Sequence, residues 1–449
     1  MHHVGLRIGI SDSSATGKLL RITIITVGSR GDVQPFVALG KGLRDAGHFV
    51  RLATHENFEE LILSYGLDFA TIEGNPQEIL HSEDGRKWIE SDKSPVGFFL
   101  GFIRLSRAIL SKIMTDALTA CRDTEAIIFS PLGMCALSIA EKMNVPACMG
   151  ALQPLSPTSE FASPMFPPLS LGGFYNMSTH RLSQQLVWQP FRNLINNWRR
   201  NALQLPPYPF GGPMVRMHKQ MFPVLSGFSS NIVAHPHDWH PACHITGYWF
   251  LEQNNSSVSR DLIDFVESGP PPVYIGFGSM SDRNPQELSR TLFRALELSG
   301  QRGVVLSVWA NLPKDNLPRN VFVVDSVPHE WLFPKMSAVI HHGGAGTTGA
   351  VFRAGVTNIV VPFFGDQFYW AHQVRRLRVG PKPIPRKQLT AENLAEAIAT
   401  ALKDQGMRKN AVELGSRIRN ENGVARAVEI FESKVIHAKI SNLRSQISD

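Results

Sequence analysis

The chain has 449 residues, two to three domains' worth, and an apolar share of 43% that allows sizeable buried cores. Lysine and arginine outnumber aspartate and glutamate 45 to 38, giving a net charge of +7 and a pI near 9.3. Such an excess suits an anionic ligand, a membrane surface or nucleic acid. The basic residues are scattered, with small groups at Arg199-Arg200 and Arg375-Arg376-Arg378. Without a basic stripe interleaved with aromatics, nucleic acid is the weakest of the three. Cys121, Cys135, Cys148 and Cys243 form no C-x-x-C pair, so neither a disulfide framework nor a thiolate metal site is expected. A reducing, cytoplasmic compartment fits best.

Residues 1–18 carry no apolar run and read as a disordered leader rather than a secretory signal. No stretch of about eighteen uncharged apolar residues occurs, so no transmembrane helix is predicted. Arg21 to Val27 is a β-branched run, followed by Gly28-Ser29-Arg30-Gly31-Asp32 and an amphipathic stretch from Pro35 to Ala46. Phe49 to Ala53 restarts a strand, which completes a β-α-β unit and implies parallel pairing with a right-handed crossover. Pro95 to Met114 places Phe98, Phe102, Leu105 and Ile109 on one helical face; core packing, an apolar pocket wall and a lipid-facing helix all suit that stripe. Strands follow at Ala126 to Phe129 and Val145 to Met149.

Between Leu152 and Pro223 proline, glycine and aromatic residues accumulate around a helix containing Trp188 to Trp198. His235 to His244 is rich in imidazoles, but its spacing matches no zinc pair and Pro236 and Pro241 interrupt it, so no metal is expected. The alternation of strands and helices then returns, with strands at Val273 to Ser279, Val304 to Val308, Val321 to Val324, Ala338 to His341 and Asn358 to Val361, and a helix from about Pro285. Both halves therefore read as doubly wound α/β sheets. Residues 19–228 form one expected domain and 229–427 the other, with 428–449 as a helix or tail that packs back on the first. Ligands in such sheets bind beyond the carboxyl ends of the strands, so the cleft between the halves is the expected active site.

Three strand-end motifs in the second half carry chemistry. The strand Ala338 to His341 runs into His342-Gly343-Gly344-Ala345-Gly346-Thr347-Thr348 ahead of a helix, where small residues and a helix N-terminus favour a phosphate. The same pattern also suits a glycine-rich turn that merely packs helix on sheet. Gly278-Ser279 supplies further donors at the same sheet edge. Asp366-Gln367 places a carboxylate and an amide at the end of the next strand, the groups that recognise sugar hydroxyls.

These motifs resemble the GT-B nucleotide-sugar glycosyltransferases of the UDP-glucosyltransferase superfamily, and most closely the sterol 3-β-glucosyltransferases. The likeness runs from about Leu20 to Ala427. It includes Gly28 to Pro35, Thr246 to Phe250, Ser326 to Phe333, His341 to Thr348, Pro362 to Gln367 and Gly380 to Pro385. The resemblance implies two facing Rossmann-like domains with a cleft between them, the first binding the acceptor and the second the donor. It assigns the uracil base to the segment holding Val327 and His329, the diphosphate to His341 through Thr348 with Gly278 and Ser279, and the sugar to Asp366 and Gln367. Trp309 suits either the base or packing. Asp32 is the implied catalytic base; capping of the helix from Pro35 is its other reading. Arg30 and Gly31 stand beside it. Phe98, Phe99 and Phe102 mark the acceptor region.

The expected activity is inverting transfer of glucose from UDP-glucose to a hydroxyl of an apolar polycyclic acceptor, sterol or triterpenoid-like, giving a β-glucoside. No permanently bound cofactor and no metal are expected; a peripheral contact with a membrane surface is. The same chemistry on a polyketide, flavonoid or antibiotic aglycone is the alternative. A UDP-sugar epimerase leaves the apolar Leu152 to Pro223 region without a use, and a lipid-binding module leaves the phosphate loop without one.

Overall fold

The computed structural model describes residues 19–74, 95–252, 258–278, 284–307 and 317–436, with side chains described in the helix Pro95–Ala120 only at 107 and from 109 onward. The leader, Ser279 and Trp309, and the side chains of Phe98, Phe99 and Phe102, lie outside these limits.

The first sheet consists of β1 (Arg21–Ile25), β2 (Phe49–Thr54), β3 (Asp68–Thr71), β4 (Ala126–Phe129), β5 (Ala147–Ala151), β6 (Val224–Ser226) and β7 (Cys243–Ile245). Its order is β3-β2-β1-β4-β5-β6-β7, parallel throughout. The second sheet holds β8 (Val273–Gly276), β9 (Gly303–Leu306), β10 (Val321–Val324), β11 (Ala338–His341) and β12 (Thr357–Val360) in the parallel order β10-β9-β8-β11-β12. The alternation of strands and helices thus yields two doubly wound parallel sheets. Their apolar runs are explained by burial on both faces. In β4, Ala126 and Ile128 join one core while Ile127 and Phe129 join another. In β11, Ala338 and Ile340 are separated in the same way from Val339.

Three expectations shift. The helix after β1 spans Arg30–Asp45 rather than starting at Pro35, because Ser29 is its N-cap and Asp32 occupies the third helical position, where its carboxylate accepts from the Ser29 backbone N–H at 2.8 Å. The helix expected across Trp188 to Trp198 is two helices, Gly172–Trp188 and Arg192–Asn201, divided at Gln189-Pro190-Phe191; proline cannot donate to a continuing helix. Residue 229 falls between β6 and β7, so the first sheet extends to Ile245. A three-residue strand among histidines and prolines carries no apolar run to mark it.

The chain leaves the first sheet through Thr246 to Glu252 and returns after Glu421. The helix Gly423–Ile430 and the π-helical turn Phe431–Ile436 place Ala427, Val428, Ile430, Phe431 and Val435 in the same core as Ile22, Val37 and Leu39 of the first sheet's layer.

Candidate active site

In each sheet the strand order reverses once, between β1 and β4 and between β8 and β11, and the loops beyond those strand ends diverge to leave a crevice. Gly28 to Asp32 follows β1, Gly278 follows β8 and His342 to Thr347 follows β11. The helices Arg30–Asp45 and Ala345–Ala354 touch each other, so the two crevices face across the domain boundary.

Beyond β1 the backbone turns at Gly28 with φ +142°, and a Cβ there would overlap the Asp32 carboxylate. The side chain of His55 braces the turn. Its Nε2 accepts from the Gly28 N–H at 3.2 Å while its Nδ1–H donates to the Ile72 carbonyl at 3.0 Å, which makes this histidine a support of the loop. Asp32 is half-buried. Its Oδ2 accepts from the Ser29 N–H at 2.8 Å and the Ser29 hydroxyl at 2.9 Å, and Oδ1 receives no hydrogen bond among the described residues. Burial raises its pKa above the ordinary carboxylate value, outweighing the two Ser29 hydrogen bonds. Arg30 is exposed, donates to Gln34 at 3.1 Å, and acts on His329 of the second domain rather than on Asp32. Gly31 is exposed at the first turn.

The loop after β11 is built from beneath by His341. Fully buried, its Nε2–H donates to Asn358 Oδ1 at 3.1 Å and its Nδ1 accepts from the Gly343 N–H at 3.1 Å. Burial lowers its pKa to about 3, so the ring is neutral and committed to shaping the loop. The His342 ring stands between Gly278 and Gly344: a Cβ on Gly278, whose φ is +62°, would lie 3.1 Å from its Cε1, and one on Gly344 would overlap Nε2. His342 Nδ1 is buried and has no hydrogen-bond partner among the described residues, and burial holds the ring's pKa at about 4. Gly343, at φ +91°, has Val360 Cγ1 2.8 Å and the Gln367 carbonyl 2.9 Å from its Cβ direction, so no side chain fits.

Gly344 is the N-cap of the helix Ala345–Ala354 and no side chain among the described residues caps it. The first backbone bond runs from Thr348 N to Gly344 O at 2.9 Å, and the Thr348 hydroxyl donates to the same carbonyl at 2.8 Å. The N–H groups of Ala345, Gly346 and Thr347 are therefore the helix's unsatisfied donors, and Gly346 is open to solvent. Beside them His329 stacks on Phe333 at 4.2 Å and 16°, with its pKa lowered to about 4 by burial, and Val327 packs against the core beneath.

Beyond β12 the turn Pro362 to Asp366 is held by Gln367. Its Oε1 accepts from Phe363 N–H at 2.7 Å and Phe364 N–H at 3.3 Å. Asp366 Oδ2 accepts from Trp370 Nε1 at 3.2 Å and from Gln153 Nε2 at 3.1 Å, a bond that crosses from the loop after β5 of the first domain. Burial raises the Asp366 pKa, and the nearby Asp32 charge raises it further. Two desolvated carboxylates, one from each domain, thus lie within electrostatic reach across the cleft. Gln153 did not stand out in the sequence; its signal was its position directly after the Ala147 to Ala151 strand, the same strand-end logic that picked out Asp366.

The imidazoles of His235, His237 and His240 are engaged separately. His237 meets Glu160 at 2.6 Å, His240 meets Cys243 Sγ at 3.2 Å, and His235 lies between the Pro236 and Cys243 carbonyls at 3.0 Å each.

Residues 22–161 match the N-terminal domain of glycosyltransferase family 28, and residues 302–428 match the erythromycin biosynthesis protein CIII-like C-terminal domain. Among solved structures, the kitacinnamycin glycosyltransferase aligns with a TM-score of 0.69 at 16% identity, covering 93% of this chain and 100% of its own. The calicheamicin glycosyltransferase CalG4 aligns at 0.67 and 16% identity, covering 94% and 99%. These two establish the fold. A sterol 3-beta-glucosyltransferase of Arabidopsis thaliana is 35% identical over 427 residues, covering 92% of this chain and 68% of the plant protein. One of Cryptococcus neoformans is 33% identical over 446 residues, covering 94% of this chain and 27% of the fungal protein. The chain spans 27% to 31% of the length of such fungal relatives and 66% to 68% of the plant ones. With an alignment that takes in both sheets and the loops of the cleft, the chain belongs to the family of the sterol 3-beta-glucosyltransferases, within the GT-B-fold glycosyltransferases.

Proposed function

We propose that this protein transfers glucose from UDP-glucose to a hydroxyl of an apolar polycyclic acceptor of the sterol type, with inversion to the β-glucoside. The reading rests on the pair of desolvated carboxylates, Asp32 and Asp366, brought from opposite domains to one cleft beside an uncapped helix N-terminus. The acceptor class and the donor sugar are supported by the relatives' names.

In this mechanism the diphosphate lies on the N–H groups of Ala345, Gly346 and Thr347, with Gly278, Gly343 and Gly344 permitting close backbone approach. His342 Nδ1, buried and without a partner among the described residues, lies near Gly278, 3.7 Å from where a Cβ would stand. The base rests near Val327 and His329, and Asp366 and Gln367 orient the sugar. Asp32 accepts the acceptor O–H proton as that oxygen forms its bond to the anomeric carbon. The bond from the anomeric carbon to the β-phosphate oxygen breaks, and the negative charge left on UDP is held by the helix N-terminus. Burial suits Asp32 to the task, since a carboxylate with a raised pKa is a stronger base.

Asp32→Asn is expected to lower kcat for glucosyl transfer by about 10²- to 10⁴-fold, with UDP-glucose affinity by calorimetry within twofold of wild type. Retained turnover would remove Asp32 as the base.

A further inference from the structure

The helix Gly172–Trp188 is built inside out. Four of its five buried positions are polar, the fifth being its last residue, Trp188: Asn176 donates to the Ser159 carbonyl at 2.9 Å, Thr179 accepts from the Ser163 N–H at 2.9 Å, His180 Nε2 bonds the Phe161 carbonyl at 3.1 Å, and Ser183 donates to Ser163 Oγ at 2.6 Å. Its large exposed side chains are apolar apart from Arg181. Phe174 is 88% exposed and Leu182 49%, and with Leu186 they fall within about 120° of helical arc, opposite the polar face. Met165, Leu169 and Leu171, in the loop leading into the helix, are exposed as well. Beside the helix's end Phe210 is exposed under the Arg192 guanidinium, 5.0 Å from its ring centre, and is tied to the helix by Trp188 Nε1 donating to its carbonyl at 2.9 Å. The helix thus meets its own domain largely through hydrogen bonds and leaves large apolar side chains exposed, the reverse of most globular surface helices.

Charge decides what meets this side. From Phe161 to His237 the chain contains no aspartate or glutamate, but six lysines and arginines. Arg199 and Arg216 of that set are paired with Glu141 of the domain core. Arg181, which shares the outward face with Phe174, is exposed, as are Arg200 and Lys219. Apolar side chains that can enter an acyl layer, with Arg181 on the same helical face, Arg192 over Phe210 and no carboxylate between Phe161 and His237, match the chemistry of a bilayer with anionic headgroups. No described helix is long and apolar enough to cross a membrane, so the contact is with one leaflet.

We infer that the surface formed by residues 165–187 and Phe210 is a peripheral docking face for anionic lipid bilayers. It shares no residue with the donor loop or with Asp32, so it stands or falls separately from the transferase reading.

The test is flotation of the full chain with vesicles of phosphatidylcholine alone and of phosphatidylcholine with phosphatidylserine. Wild type is expected to float with the serine-containing vesicles and more weakly with the neutral ones. The variant Leu171→Ser/Phe174→Ser/Leu182→Ser should lose binding by roughly tenfold or more per side chain that enters the acyl layer, while Arg181→Gln should weaken anionic binding about fivefold and leave neutral binding unchanged. Because the substituted side chains are exposed, the thermal midpoint and UDP affinity of both variants should match wild type, which separates lost docking from lost folding. Wild type that stays with neither vesicle, or a triple variant that floats like wild type, overturns the proposal. So does a wild-type dimer by light scattering that the triple variant converts to monomer, since the face would then belong to a second copy.

Discussion

At Asp32 one carboxylate has two duties, and substitution can separate them. Oδ2 accepts two hydrogen bonds from Ser29 and closes the first turn of the helix Arg30–Asp45, while Oδ1 is left for chemistry. Its folded pKa is raised, so the folded state holds this proton more tightly than the unfolded chain does. The resulting stabilisation is complete below the ordinary carboxylate value and is lost as pH rises through the raised one, so the group costs stability once it is ionised. Asparagine keeps an acceptor for the Ser29 N–H and removes the charge. Asp32→Asn should therefore melt at or above the wild-type temperature at neutral pH, with the difference shrinking as the buffer is acidified. Asp32→Ala, which loses the cap, should fall below Asp32→Asn by about 1 kcal/mol in denaturant titrations. The same sign governs activity: transfer should decline on acidification at a pH above the ordinary carboxylate range, as the base takes up its proton. A kcat/KM profile for wild type whose acid limb sits at the ordinary value would contradict the desolvated environment.

At the scale of elements, the sequence was most legible where a strand runs into a glycine loop. Ala338 to His341 and its loop were readable because a fully buried strand is a continuous apolar run and because few residues other than glycine fit at Gly343, with φ +91° and a neighbour at 2.8 Å. The role of His341 was not readable. Histidine suits a phosphate donor and a structural brace equally in sequence, and only the register of β11 on β12 puts Asn358 beneath its ring. Gln153 was hidden for a related reason, since its partner Asp366 lies in the other domain and no spacing along the chain encodes that distance. The helix after the loop offers a test that sets fold against function. Gly346 is exposed and a Cβ there meets nothing within 4 Å. Gly346→Asp should thus be tolerated, and a carboxylate in the first turn stabilises a helix by roughly 0.3–1 kcal/mol. The same charge would occupy the position assigned to the diphosphate. Expected are an unchanged or slightly raised melting temperature and a loss of UDP affinity, by calorimetry, of at least about tenfold, the equivalent of roughly 1.4 kcal/mol. Unchanged UDP binding would move the diphosphate away from this helix.

Across the whole molecule, the two domains are joined where the outgoing and returning chains pass each other. Gly247, at φ +100°, and Gly423 lie so close that a Cβ on Gly247 would sit 3.1 Å from the Gly423 Cα. Glu421 fastens the return, its Oε1 accepting from the Ser229 hydroxyl at 2.6 Å and Asn231 Nδ2 at 2.8 Å. From there the helix Gly423–Ile430 and the turn after it leave the second sheet and finish the first sheet's core, with Phe431 fully buried and His48 Nε2 bonded to Glu432 at 3.1 Å. The last described part of the chain thus stabilises the half of the molecule built from its beginning. A cavity at Phe431 should weaken the first domain while the donor-side sheet, whose core shares none of these residues, keeps its own stability. Phe431→Ala removes a buried ring at a cost of about 3–5 kcal/mol. Calorimetric scans of this variant should divide into two transitions, as expected when domains lose their mutual support. The earlier transition should be insensitive to UDP and the later one raised by it, since a ligand stabilises only the unit that binds it. A single transition lowered as a whole, and still raised as a whole by UDP, would mean that the shared interface, and not the returning segment, holds the two sheets together.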